Sequence, residues 1–185
     1  MGARVADTVG ASCQARRAAF LGQGAVIFVS VGTQLAFNRL VKAVDIWAEA
    51  NPSVEVFAQI GPDSEAPRFM KYADFLSPLT VDSLMRHSEL IVAHAGMGSI
   101  LTALKYQRPI LIMPRKAAFG EHRNDHQLAT ARWLDGRPGI YVAWDETEIS
   151  TKLDVRHALT IGPQLSECAS GSLIERLTTY LGAAK

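Results

Sequence analysis

Two hydrophobic patterns alternate along the chain. Short runs at residues 25–31 (AVIFVSV), 54–60 (VEVFAQI), 72–76, 90–93 (LIVA), 109–113 (PILIM) and 140–144 predict strands. Several are apolar at consecutive positions, the pattern of a parallel sheet covered on both faces. Between them, apolar residues recur every three or four positions, as on a helix packed by one side. Residues 37–50 carry Phe37, Leu40, Val41, Val44, Ile46, Trp47 and Ala48, and Asn51-Pro52 ends the stretch. Residues 80–88 turn Val81, Leu84 and Met85 inward, and 99–106 carry Ile100, Leu101, Ala103 and Leu104. Further helices are predicted over 124–134, with Leu128, Ala131 and Trp133 inward, over 146–159 and over 165–181. Strand and helix alternate throughout, which predicts an α/β fold with a doubly wound, mostly parallel sheet. Residues 25–185 form the expected domain. Residues 1–24 place Arg4, Arg16 and Arg17 among alanines and glycines, without the long apolar centre of a signal peptide, and are expected to be a poorly ordered or appended tail.

Composition narrows the function. At 185 residues, 48% hydrophobic and 20% charged, the chain has the make-up of one globular domain. A formal net charge of +1 gives no case for nucleic-acid binding. The two cysteines, Cys13 and Cys168, have neither metal-ligand spacing nor the density of a disulfide framework. No apolar run approaches the roughly 18 residues needed to span a bilayer.

The polar residues with chemistry in them follow the strands. Gly32, Thr33 and Gln34 come directly after the first: a glycine that permits a sharp turn, then two side chains able to bond a phosphate or hydroxyl. Alone, this is also the description of an ordinary turn. There is no G-x-G-x-x-G, and no acidic residue ends the second strand, so a dinucleotide enzyme is disfavoured. His94-Ala95-Gly96-Met97-Gly98-Ser99 is more specific, because a histidine at a strand end meets two glycines and a serine at a helix start. Backbone N–H groups and the positive helix end there suit an anion such as phosphate. A third cluster, Glu121 to Gln127 (EHRNDHQ), has the hydrogen-bonding capacity for a sugar, although Asn124 or Asp125 could equally serve as a helix cap. His122 and His126 have the i, i+4 spacing of metal ligands, but His122 precedes the predicted helix and no H-E-x-x-H is present, so no metal site is expected.

Taken together, HAGMGS, the following helix to RPILIMPR, EHRNDHQ, and the early FVSVGTQLAFNRLVKAVDIWA resemble the C-terminal donor domain of family 28 glycosyltransferases. They are most similar to small catalytic subunits of two-part exopolysaccharide enzymes, and to the catalytic subunit of the dolichol-pathway N-acetylglucosaminyltransferase. The resemblance covers residues 26–134 well and the C-terminal helices loosely. It implies a Rossmann-like half of a GT-B enzyme that binds UDP-sugar as donor substrate and uses no cofactor. It further implies Gly32, Thr33, Gln34, Gly96, Gly98 and Ser99 at the diphosphate, and Phe75 and Leu76 near uracil. His126 and Gln127 are then expected near the donor sugar, with His122, Asn124 and Asp125 around them. Thr102 falls at the ribose position, where the peptidoglycan enzyme carries glutamate. Arg115 and Glu121 belong to the small-subunit pattern, and His94, Glu121 and His126 are the candidate catalytic residues.

The reading from sequence is therefore the donor half of an inverting hexosyltransferase in exopolysaccharide synthesis. It expects a membrane-anchored, acceptor-binding partner subunit, a lipid-linked saccharide acceptor, and a place at the inner face of the cytoplasmic membrane through that partner. Exopolysaccharide relatives point to glucuronic acid, whose carboxylate could meet Arg115, Lys116 or Arg123. A non-catalytic nucleotide-sugar-binding protein and a nucleotide-sugar epimerase are the alternatives.

Overall fold

The computed structural model of the chain describes residues 26–163. The expected tail at 1–24 and the expected helix at 165–181 lie outside them. Six strands, β1 (Val26–Ser30), β2 (Glu55–Gln59), β3 (Lys71–Ala73), β4 (Leu90–His94), β5 (Ile110–Met113) and β6 (Ile140–Val142), form one sheet. All neighbours pair in parallel, in the order β3-β2-β1-β4-β5-β6. Five α-helices connect or follow them: α1 (Asn38–Ala50), α2 (Pro78–His87), α3 (Met97–Lys105), α4 (His126–Leu134) and α5 (Thr147–Asp154).

The two-sided apolar runs explain this layering. Along β1, Ile27 and Val29 join the core layer that holds α1 and α5, while Phe28 joins the layer that holds α2, α3 and α4. The same alternation repeats in β4, where Leu90 and Val92 face one layer and Ile91 and Ala93 the other. A strand apolar at every position has to be covered twice, and helices on both faces do that.

Strand order decides where a ligand can go. The chain winds outward from β1 to β3, then returns to β4 on the other side of β1. The loop leaving β1 enters α1 on one face, and the loop leaving β4 enters α3 on the opposite face. The two loops diverge and leave a crevice at the C-terminal ends of β1 and β4, the reversal point at which such sheets bind ligands.

Several predicted details are corrected. Trp133 points outward and is 65% exposed; α4 buries Gln127, Ala131 and Leu134 instead. Ile46 on α1 and Leu101 on α3 are also exposed. The third strand covers Lys71–Ala73 only, leaving Phe75 and Leu76 beyond it. The helix expected at 146–159 breaks after Asp154 and continues as a short 3-10 turn, Arg156–Ala158. Helix α2 begins one turn cap earlier than its apolar pattern, because Ser77 accepts the Thr80 N–H at 3.2 Å and Pro78 fills the first helical position. No helix among the described residues is long and apolar enough to cross a membrane.

Candidate functional site

His94, the last residue of β4, sits between the two glycine turns. Its imidazole fills space that neither turn could share with a side chain. A Cβ on Gly96 would stand 2.0 Å from His94 Cε1, and one on Gly32 would stand 2.9 Å from its Nε2. Gly32 also has φ +83°, a left-handed conformation that favours glycine. So both glycines are required by packing against one histidine, and the loops after β1 and β4 are locked together through it.

The protonation of that histidine follows from its partners. The Arg115 backbone N–H donates to Gln127 Oε1 at 3.1 Å, which leaves Gln127 Nε2 to donate to His94 Nδ1 at 3.2 Å. Nδ1 is thus the acceptor, and a neutral ring carries its proton on Nε2. Burial pushes the His94 pKa down to about 4, with the positive charge of Arg115 adding to the effect. At neutral pH His94 is therefore an uncharged N–H donor with no proton-accepting nitrogen free. As a candidate catalytic residue it can donate a hydrogen bond but not take up a proton.

Next to it, a cleft of about 410 Å³ opens between β1, β2, α2 and the start of α3, a size ordinary for small-molecule sites. Its polar end is made by Gly32, Thr33, Gly98 and Ser99, and its apolar end by Phe75, Leu76, Pro78, Val81 and Met85. Ser30, Gln59, Asp82 and Thr102 line it between these ends. Helix α3 begins at the polar end, and its own hydrogen bonding starts only with Ile100 N–H to Gly96 C=O. The N–H groups of Met97, Gly98 and Ser99 thus have no partner in the helix. Gly98 meets nothing within 4 Å at its Cβ position, so the approach to those donors is open. Its value here is absence of bulk, since no positive φ requires a glycine there. A second depression of about 260 Å³ runs along residues 135–142 at edge strand β6, far from all of these groups.

The third polar cluster behaves differently from its sequence reading. Arg115 is 3% exposed and donates to four carbonyls: Ala36 at 2.6 Å, Leu35 at 2.7 Å, Val31 at 2.8 Å and Glu121 at 3.1 Å. It lies 4.6 Å from the Phe37 ring centroid, and burial lowers its pKa to about 10, which leaves it charged. These bonds hold the β1–α1 loop from beneath, so Arg115 is not available to a sugar carboxylate or a leaving phosphate. Glu121 is equally committed. Its Oε1 accepts from Arg39 Nε at 2.9 Å, and its Oε2 from Arg39 Nη2 at 3.0 Å and the Lys116 N–H at 2.9 Å. A carboxylate held in a bidentate pair is a brace, and Glu121 is no free base. Asp125 takes the N-cap position of α4 without capping it; its Oδ1 accepts from the Ala117 N–H at 2.9 Å. Asn124 Oδ1 accepts from the His126 N–H at 3.3 Å, and His122 bonds within the same turn.

Of the residues singled out from sequence, the cleft brings together Gly32, Thr33, Phe75, Leu76, Gly98, Ser99 and Thr102. His94 and Gly96 stand directly behind them. Gln34 is exposed on the β1–α1 loop. Arg115, Glu121, His122, Asn124, Asp125, His126 and Gln127 do not line the cleft; Gln127 touches its scaffold through His94, and Arg115 through the carbonyls of the β1–α1 loop. As lining residues, sequence reasoning missed Ser30, Gln59, Pro78, Val81, Asp82 and Met85. Gln59 had a signal: a polar residue that follows the apolar run Val56-Phe57-Ala58 at the end of β2. It is 2% exposed, donates to the Gly32 carbonyl at 3.2 Å, and keeps Oε1 without a partner. Among the described residues no group of three or more His, Cys, Asp or Glu could hold a metal ion.

Comparison with known proteins now bears on this geometry. Among curated proteins none matches the sequence. The structure is similar to that of a glycotransferase of kitacinnamycin, at TM-score 0.55 and 18% identity, over 86% of this chain and 38% of that one. It is similar to the solution structure of ALG13, at TM-score 0.54 and 19% identity, over 83% of this chain and 94% of that one. It is also similar to MurG of Acinetobacter baumannii, at TM-score 0.52 and 17% identity, over 79% of this chain and 45% of that one. The chain thus spans less than half of two of these proteins and nearly all of the third. At such identities the likeness is one of fold, the Rossmann-like half of GT-B glycosyltransferases. The sequence itself goes further: the profile of the glycosyltransferase family 28 C-terminal domain matches residues 26–154, and the chain belongs to that family.

Proposed function

We propose that this chain binds a UDP-sugar in the cleft and supplies the donor half of an inverting hexosyltransferase. The observation that carries the reading is the polar end of the cleft. Free N–H groups at the start of α3, an unobstructed Gly98 and the hydroxyls of Thr33 and Ser99 converge where the sheet reverses. That is an anion site with the chemistry of a diphosphate. The apolar end, with Phe75 64% exposed beside Leu76, offers a flat surface for a nucleobase. Family membership favours glycosyl transfer over the epimerase alternative.

In this reading the leaving diphosphate is stabilised by fixed dipoles, the α3 amides, with neutral His94 holding the two glycine turns in place behind them. No metal or other cofactor takes part. Neither His94 nor Glu121 can take the acceptor proton, so the base belongs to a second body that closes over the cleft. Leu35, Met97 and Phe119 are exposed apolar residues on the same edge of the sheet, as a covering surface would require. We assign that role to a membrane-anchored subunit holding a lipid-linked saccharide, as in exopolysaccharide assembly, and with it a peripheral place at the inner membrane face. ALG13, a structural neighbour, is matched over 94% of its length.

The test is calorimetric titration with UDP in the presence of EDTA. Binding with one site per chain is expected. Binding that requires magnesium or manganese would refute the metal-free site, and no binding under either condition would refute the donor-site reading.

A further inference from the structure

Among the described residues only one ionisable side chain lines the cleft, and it is an acid. Apart from Asp82, the walls carry glycines, hydroxyls, an amide and apolar groups. A carboxylate beside the diphosphate would repel it. Asp82 is not there. Its Oδ1 accepts a hydrogen bond from Tyr106 Oη, and Tyr106 lies two helical turns beyond Gly98 at the end of α3. On the other side, Arg86 Nη2 stands 3.8 Å from Asp82 Oδ2 and 3.3 Å from Tyr106 Oη, with its guanidinium 4.6 Å from the Tyr106 ring centroid. Residues of two helices thus hold one rotamer of Asp82. Its side chain is still 46% exposed, so the remaining lone pairs of the carboxylate are open.

Thr102 lines the cleft one turn from Gly98, between the phosphate end and Tyr106. Its hydroxyl hydrogen is spent on the Gly98 carbonyl at 2.8 Å, so toward a ligand its oxygen acts as an acceptor. The middle of the cleft therefore presents acceptors, one of them charged, from both α2 and α3. Acceptors fit a ligand group rich in donors. One helical turn, about 5.4 Å, beyond a diphosphate is where the sugar of a nucleotide follows its phosphates.

We propose that Asp82 binds the ribose hydroxyls of the nucleotide, with Thr102 beside it, so that the cleft selects a ribonucleotide over one lacking that diol. This rests on the donor-site reading above and deepens it. Asp82 makes the contact, and Tyr106 positions it.

The experiment compares UDP with 2′,3′-dideoxy-UDP by calorimetry. The wild-type chain is expected to prefer UDP roughly ten- to a hundredfold, the range of hydrogen bonds to a charged group. Asp82→Ala is expected to bind the dideoxy nucleotide as wild type does and UDP no better. Asp82→Asn, which keeps the side-chain volume, should lose most of the preference. Circular dichroism checks that both fold. An Asp82→Ala chain that still prefers UDP overturns the proposal. So does equal weakening toward both nucleotides, which a merely structural role would give, or a wild-type chain that binds both alike. A wild-type chain that binds neither overturns the donor-site reading itself, and the ribose assignment falls with it.

Discussion

Gly96 and Gly98, two and four residues after His94, serve different ends, and substitution separates them. Gly96→Ala would set a methyl group 2.0 Å from the imidazole, which has no slack between the two turns. It is expected to cost about 2 kcal/mol of stability or more, read by urea denaturation. Gly98→Ala meets nothing and is expected to leave stability within about 0.5 kcal/mol. Gly98→Val projects branched bulk into the cleft and should weaken UDP binding at least tenfold while the chain stays folded. Normal UDP binding by a folded Gly98→Val chain would sink the phosphate assignment. His94 itself carries a pH signature. Its pKa is about 4 in the fold against an ordinary 6.5, so between those values the unfolded chain binds more protons. Stability should therefore rise with pH across that window, by up to about 1.4 kcal/mol per unit. The contribution is complete above the upper value and is lost as pH falls through the lower. Denaturation at several pH values should show this slope in wild type and a shallower one in His94→Gln. The glycines and His94 were legible in the sequence because a strand end, a turn and a helix start coincide there. Asp82 was not, since an acid on an amphipathic helix reads as an ordinary solvated residue.

At the scale of elements, the β5–α4 segment is held to α1 by charge. Arg39 pairs with Glu121 in two bonds at 2.9 and 3.0 Å, and with Glu146 ahead of α5 at 2.8 Å. The side chains of Arg39 and Glu121 are only 13% and 10% exposed. Removing Glu121 takes two charged hydrogen bonds from a largely buried Arg39 and leaves it Glu146 alone, so Glu121→Ala is expected to destabilise by about 2 kcal/mol. As a brace, Glu121 predicts a lowered denaturation midpoint in Glu121→Ala with UDP affinity changed much less. Retained stability with lost binding would return it to the ligand. The elements themselves were readable wherever burial is two-sided, as in β1, β4 and β5. The misreadings have physical causes. In α4 a glutamine, bonded to His94 and the Arg115 N–H, occupies a buried position of the stripe. An apolar pattern sought without it slides by one residue and turns Trp133 inward. Edge strand β3, with Tyr72 43% exposed, lacks a second covered face, so its limits left no hydrophobic mark.

For the whole molecule, the strand order is what makes the cleft one-sided. Reversal between β1 and β4 opens a crevice at one edge of the sheet, and the described residues wall it from the sheet side alone. An inverting transfer needs a donor clamp, an acceptor held within reach, and a base for the hydroxyl proton. In the proposed reading the clamp is the start of α3 and the Gly32 loop. Of the candidate catalytic residues from sequence, His94 spends its Nδ1 on Gln127 and has a pKa of about 4, Glu121 is paired with Arg39, and His126 does not line the cleft. The purified chain is therefore expected to bind UDP-sugar yet transfer sugar slowly or not at all. Adding the membrane-anchored partner should restore transfer, and substitution of Leu35, Met97 or Phe119 by aspartate should weaken that restoration without touching UDP affinity. The assay sets labelled UDP-sugar and a lipid-linked acceptor against the chain alone, then with membranes containing or lacking the partner. Full activity of the chain alone would mean that its base and acceptor site lie within its own sequence, and the two-part reading would have to be abandoned.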